Sequence, residues 1–227
     1  MTIIKTEDLN KIYYCNYNCI HAITDCILEI EKGEFVAITG VRGSGKTTLL
    51  RMLGGFDRPS SGKVYLNQRD IYALDDKDLS DLYRREVGFV FQNYQLISGL
   101  TIYDNIVLPS LLKLCNLDKN YLLELTDGLH ITDILHNYPR NISEEQQQCV
   151  AIARALINQP EIIFADEPTK NLSHRLSKDI LDLLMNYINW NHRTLIMVTS
   201  DSEISIFADH VIKLDMGKIM TDRKVRK

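Results

Sequence analysis

The first forty residues alternate apolar and polar positions, with Gly33 as punctuation, and that period of two predicts an antiparallel, β-rich start. The pattern then changes. Glu34-Phe-Val-Ala-Ile-Thr39 is a short apolar run that reads as a buried strand, and Thr47-Thr-Leu-Leu-Arg-Met-Leu53 as the opening of a helix. Arg58-Pro-Ser-Ser-Gly62 is a turn by composition, and Lys63-Val-Tyr-Leu66 a short strand. Asp78 to Glu86 reads as helical, and Val87-Gly-Phe-Val-Phe91 as a second core strand that ends at Gln92. From about 101 to 157 the pattern is helical, including Leu122-Leu-Glu-Leu125 and the run after Ser143. Glu161-Ile-Ile-Phe-Ala165 is apolar without alternation, as in a parallel sheet covered on both faces. A helix through roughly 173–189 follows, then a strand from Thr194 to Thr199, a short helix, and closing strands around 209–214 and 218–220. Strands alternating with helices in this way predict an α/β core.

The length of 227 residues suits a single domain over 1–227 with room for a helical insertion. A net charge of −4 supplies no broad attraction to nucleic acid or acidic lipid, so no nucleic-acid partner is expected. The basic end, Asp222-Arg-Lys-Val-Arg-Lys227, reads as a solvated tail. Five cysteines and no secretory leader point to a reducing cytoplasm. Cys15, Cys19 and Cys26 with His21 match no zinc spacing and read as isolated thiols. No apolar run approaches the roughly 18 residues that would cross a bilayer, so no direct membrane insertion is expected.

The chemistry concentrates in two places. Gly40-Val41-Arg42-Gly43-Ser44-Gly45-Lys46-Thr47 is a phosphate-binding loop, flanked by the predicted strand and helix. Its glycines let successive N–H groups turn inward at a polyphosphate, and the helix that opens with Thr47 and Thr48 points its positive end the same way. Lys46 adds a point charge for the terminal phosphates, and Thr47 a hydroxyl for Mg²⁺. Asp166-Glu167 follows the buried apolar strand directly. There the first carboxylate can hold Mg²⁺ and the second can polarise a water towards a γ-phosphate. Gln92, at the end of another core strand, can reach the metal or that water through its amide.

Taken together, these motifs resemble the ATP-binding subunit of an ABC transporter, over nearly the whole chain. Gly40 to Thr47 resembles the Walker A motif, Gln92 the Q-loop, and Ile162 to Glu167 the Walker B strand with its catalytic glutamate. In Leu9-Asn-Lys-Ile-Tyr13, Tyr13 stands where the family stacks an aromatic ring on adenine, with Tyr14 as a competing candidate. The run Val87 to Ile97, followed by Asp104-Asn-Ile-Val-Leu-Pro109, resembles one branch of the family. That branch holds macrolide-efflux, lipoprotein-release, cell-division and antimicrobial-peptide-resistance transporters. The resemblance implies a P-loop NTPase fold: a RecA-like core, an N-terminal antiparallel β-subdomain and a helical subdomain over roughly 93–157. It also implies Mg²⁺-ATP as ligand, a second nucleotide-binding subunit in a homo- or heterodimer, and a membrane permease facing Gln92 to Ile97. The chain would then sit in the cytoplasm, peripheral at the inner face of the membrane.

The departures from the family are as specific. Where it carries the signature Leu-Ser-Gly-Gly-Gln, which contacts the partner's ATP, this chain has Ile142-Ser143-Glu144-Glu145-Gln146. Gln147-Gln148-Cys149-Val-Ala-Ile-Ala-Arg-Ala-Leu156 keeps the alignment, with Cys149 in place of an arginine. One carboxylate about 5 Å from a phosphate charge costs on the order of 3 kcal/mol at an effective dielectric near 20. The same residues also spell a capping box, Ser143 with Gln146, with Glu144 and Glu145 in a first helical turn where the dipole favours them. Ser200 replaces the family's switch histidine, and Ser173 the D-loop aspartate; Lys170 replaces a frequent glycine or serine, while His174 and His192 read as exposed. The resemblance thus implies that binding chemistry is retained while dimer closure and hydrolysis are eroded. Two readings follow: a transport ATPase with attenuated turnover, or a hydrolysis-deficient regulatory or structural ATP-binding subunit. A DNA-repair or ribosome-associated ATPase of the same superfamily is disfavoured by the charge and by the lack of room for a coiled-coil insertion or tandem domain.

Overall fold

In the computed structural model, residues 1–15, 18–113 and 117–225 are described. The apolar runs explain the central layer. β4 (Phe35–Thr39), β8 (Ile162–Asp166) and β9 (Thr194–Val198) lie side by side in parallel, with β7 (Val87–Val90) beyond β8. Alternate residues of each strand enter different cores: Phe35 and Ala37 on one face of the sheet, Val36 and Ile38 on the other. A strand buried on both sides has no use for polar positions, hence the unbroken runs. β10 (His210–Asp215) joins β4 in parallel and β11 (Lys218–Lys224) pairs antiparallel with β10, giving the order β11-β10-β4-β9-β8-β7.

The second sheet is antiparallel. β1 (Thr2–Cys15) pairs with β2 (Asn18–Cys26), with β3 (Glu29–Glu31) and with β5 (Ser61–Leu66), and β6 (Arg69–Asp70) closes the edge beside β5. α1 (Lys46–Leu53) packs between the two sheets, burying Leu49, Leu50, Met52 and Leu53. α2 (Asp76–Arg85) starts earlier than its apolar pattern suggests, because the Asp75 side chain accepts the Asp78 amide and caps it.

The expected helical stretch is three helices: α3 (Ile102–Lys113), α4 (Lys119–Gly128) and α5 (Glu144–Leu156). Between α4 and α5 the chain makes single 3₁₀ turns at Thr132–Ile134 and Pro139–Asn141, where His130 takes a left-handed φ of 56° and Pro139 has no amide to continue a helix. α6 (His174–Asn191) and the single turn α7 (Ser202–Ser205) complete the set. Among the described residues no helix is long and apolar enough to cross a membrane.

The basic end is exposed over residues 222–225, as a solvated end should be, but it is not irregular. β11 runs to Lys224, whose ammonium pairs with Glu31 and Glu34 across the sheets, while residues 226–227 lie outside those described. Of the thiols, Cys19 is exposed and Cys26 buried, its thiol pushed up to about 12 by desolvation; the side chain of Cys15 lies outside the described residues.

Candidate nucleotide-binding site

Register aligns the ends of four strands. Ile38 and Asp166 both pair with Val198, and Val90 with Ala165, so the residues that follow open along one edge of the sheet. Ligands of open α/β sheets bind at such carboxyl ends. Here the edge is a cavity of about 650 Å³, lined by Lys46, Thr47, Gln92, Glu167 and Ser200.

The loop after β4 cannot hold larger residues where it turns. Gly40 has φ +145° and a Cβ there would stand 2.2 Å from the Leu214 carbonyl oxygen; at Gly45 (φ +101°) it would stand 2.3 Å from that of Ala22. Lys46 reaches back over the loop, its Nζ donating to the carbonyls of Gly40 at 2.8 Å and Val41 at 2.9 Å. Desolvation lowers the Lys46 pKa, against the opposing pull of Glu167 and Asp166.

Asp166 ends β8 at 1% exposure. Its Oδ1 accepts the Thr47 hydroxyl at 3.0 Å, whereas Oδ2 is buried with no hydrogen-bond partner among the described residues. Burial raises its pKa, with the Thr47 bond acting the other way. A desolvated carboxylate with idle lone pairs beside a hydroxyl is a hard oxygen donor set, and it fits Mg²⁺. Ser44 Oγ is likewise buried and unpartnered among the described residues.

Glu167 follows in a left-handed backbone (φ 50°), fixed by its amide donating to the Val198 carbonyl at 2.9 Å. Such strain in a non-glycine residue costs on the order of 1–3 kcal/mol and is found where function constrains the chain. Ser200 holds this carboxylate twice: its amide (3.1 Å) and its hydroxyl (3.0 Å) both donate to Oε2. Ser200 is therefore more than a shortened histidine position.

Arg42, Gly43 and Thr48 also line the cavity, as does Tyr13, whose hydroxyl bonds the Asp57 carboxylate. Tyr14 is 81% exposed and lines no part of it. Another wall, which no sequence motif announces, is formed by Ile20, His21, Ala22, Met216 and Gly217. They come from β2 and the β10–β11 turn and carry no motif. Gly217 donates its amide to the Ser44 carbonyl at 3.0 Å and so braces the phosphate loop.

Ser143 to Gln146 do not line this cavity. They start α5 with a complete capping box: the Gln146 amide donates to Ser143 Oγ at 3.2 Å, and the Ser143 amide to Gln146 Oε1 at 2.9 Å. The two glutamates then diverge, instead of acting as one pair. Glu145 Oε1 accepts the Ser173 amide at 2.6 Å, tying α5 to the start of α6. Glu144 is exposed, its carboxylate makes no hydrogen bond among the described residues, and it lines a smaller polar cavity with Gln92, Glu167, Lys170 and Asn171. Two more ties went unforeseen: Gln148 donates to the Pro168 carbonyl at 2.9 Å, and Arg154 to the carbonyls of Tyr94 and Gln95, each at 2.7 Å.

Residues 23–170 match the family model described as ABC transporter. The chain is 38% identical to the uncharacterized ABC transporter ATP-binding protein YvcR of Bacillus subtilis, over 98% of this chain and 87% of that protein. It is 37% identical to the macrolide export ATP-binding/permease protein MacB of Aggregatibacter actinomycetemcomitans, over 100% of this chain but 35% of that protein. The chain thus spans about a third of the length of such relatives. Among solved structures, a dimeric post-hydrolysis state of the ATP-binding cassette MJ0796 with ADP and Pi superposes at a TM-score of 0.93, with 34% identity and 99% of both chains covered.

Proposed function

The chain belongs to the ABC transporter family, and from that premise we propose that it is the ATP-binding subunit of a membrane transporter, with turnover restrained by its own side chains. One observation carries the reading: Lys46, Thr47, Asp166 and Glu167 converge at one sheet edge, with a buried Asp166 oxygen left unpartnered. The loop amides and Lys46 bind the phosphates of ATP. Thr47, Asp166 and Gln92 would hold Mg²⁺, which when bound would supply charge neutralisation on those phosphates. Glu167 orients and deprotonates the attacking water, and Tyr13 offers its ring to the base.

Partners follow from the same reading. The MacB relatives join ATP-binding and permease parts in one name, and the MJ0796 cassette is dimeric, which supports a second nucleotide-binding subunit and a permease here. Glu144 then meets the partner's ATP, and at about 5 Å from a phosphate charge its carboxylate costs on the order of 3 kcal/mol. Glu145 contributes less, because its bond to the Ser173 amide turns its carboxylate towards the start of α6.

A second reading, a regulatory subunit that binds ATP without useful hydrolysis, is favoured by the paired Ser200 bonds, which occupy Glu167 Oε2. Phosphate release with Mg²⁺-ATP, beside ATP binding, separates the two. Turnover lost in both Lys46→Ala and Glu167→Gln, and raised by Glu144→Gly with Ser200→His, supports a restrained motor. Binding that depends on Lys46 without turnover in any of these variants supports the regulatory subunit. ATP binding that ignores Lys46 overturns both.

A further inference from the structure

A second groove, of about 580 Å³, shares no residue with the nucleotide cavity and runs between α4 and α6. α6 gives it one stripe, from Asp179 and Asp182 through Leu183, Asn186 and Tyr187 to Trp190. The spacing of three and four residues is that of a single helix face, about 17 Å long at 1.5 Å per residue. α4 answers with Tyr121, Glu124, Leu125 and Gly128 at the same spacing.

The tyrosines turn their polar ends inward. Tyr187 Oη donates to the Pro160 carbonyl at 2.8 Å and Tyr121 Oη to that of Leu156 at 3.5 Å, so both rings lie largely buried in the floor of the groove with their hydroxyls satisfied. Trp190 is the chain's one tryptophan and stands 72% exposed. Among the described residues the Asp179 carboxylate meets only the exposed His130, at 3.4 Å, and the Glu124 and Asp182 carboxylates make no hydrogen bond or ion pair. Lysine and arginine are missing from the lining. The groove thus has an apolar, aromatic floor and acidic edges, with dimensions that suit three turns of helix.

We propose that this groove docks a cationic amphipathic helix of another protein. Its apolar face would lie on Leu125, Leu183 and the tyrosine rings, and its Lys or Arg side chains would reach Glu124, Asp179 and Asp182, one of them stacking on Trp190. Charge complementarity selects that occupant. A second copy of this chain would bring a net charge of −4 to an acidic surface.

Trp190 is a built-in reporter. The full chain is titrated with a synthetic helix of leucines and lysines, with its twin carrying glutamates for the lysines, and with spermidine. The lysine helix should shift Trp190 emission to the blue with saturation, and the glutamate twin should not. Glu124→Gln with Asp179→Asn and Asp182→Asn should weaken binding roughly tenfold, the size to which three exposed ion pairs sum. A matched neutralisation elsewhere, Asp76→Asn with Asp78→Asn and Glu203→Gln, should leave it unchanged. Equal losses in the two triple variants, equal binding of both helices, or binding that leaves Trp190 unmoved would overturn the proposal. So would the absence of binding, or tighter saturation by spermidine, which would make the site one for small cations.

Discussion

Glu144→Ala and Glu145→Ala change adjacent residues of one helical turn, yet they should differ sharply in stability. Both carboxylates sit in the first turn of α5, where each gains about 0.3–1 kcal/mol from the helix dipole. That term, and the small propensity gain on reaching alanine, is common to both variants and cancels in the comparison. What remains is the 2.6 Å bond from the Ser173 amide to Glu145 Oε1. Ser173 caps α6, but its side chain makes no capping bond. A capping box would satisfy its amide from the third helical position, and that residue is Leu176, which has no acceptor. Glu145 supplies from α5 what α6 lacks. A bond to a charged acceptor is worth about 1.5–3 kcal/mol when shielded, and loss of a cap about 1 kcal/mol. Because both groups are partly open to water, the lower end applies, so Glu145→Ala should be about 1–1.5 kcal/mol less stable than Glu144→Ala. For a chain of this size that is roughly 3–5 °C in thermal midpoint. Urea and thermal unfolding of the two variants, without nucleotide, measure it. Equal midpoints within about 1 °C would refute the tie between α5 and α6, since the dipole term alone cannot separate neighbours.

Asp166→Asn should remove the Mg²⁺ dependence of nucleotide binding yet raise the thermal midpoint of the nucleotide-free protein at pH 7. The folded pKa of Asp166 is raised by burial, so its charge costs stability above that pKa. As pH falls through the raised value the cost disappears, and the advantage of asparagine should vanish below the unfolded aspartate pKa of about 3.9. Should the advantage persist in acid, desolvation of Asp166 is not its origin. Ser200→Ala removes the hydroxyl bond to Glu167 and leaves the amide bond. If Ser200 orients the glutamate, kcat falls about fivefold at unchanged KM, about 1 kcal/mol for one exposed bond to a charged acceptor. If it holds the glutamate away from its task, kcat rises, so an unchanged kcat denies both roles.

What is local could be read from residue order alone. The phosphate loop, the apolar strand before Asp166 and the Ser143–Gln146 cap each lie in one contiguous stretch whose residue types set their own geometry. The α/β class was legible for the same reason, since a strand buried on both faces must be apolar throughout. Tertiary structure decided everything that depends on pairing between distant segments. Register between β4, β8 and β9 brings Lys46, Asp166 and Ser200 to one edge. Ala22 and Gly217 wall the site through hydrogen bonds of β2 and the last hairpin, which leave no periodic trace in either segment. The glutamate pair shows the division most clearly. As adjacent carboxylates in one turn they are equivalent, and only the position of α6 makes Glu145 a structural tie and leaves Glu144 facing outward, because a hydrogen bond selects by distance and direction.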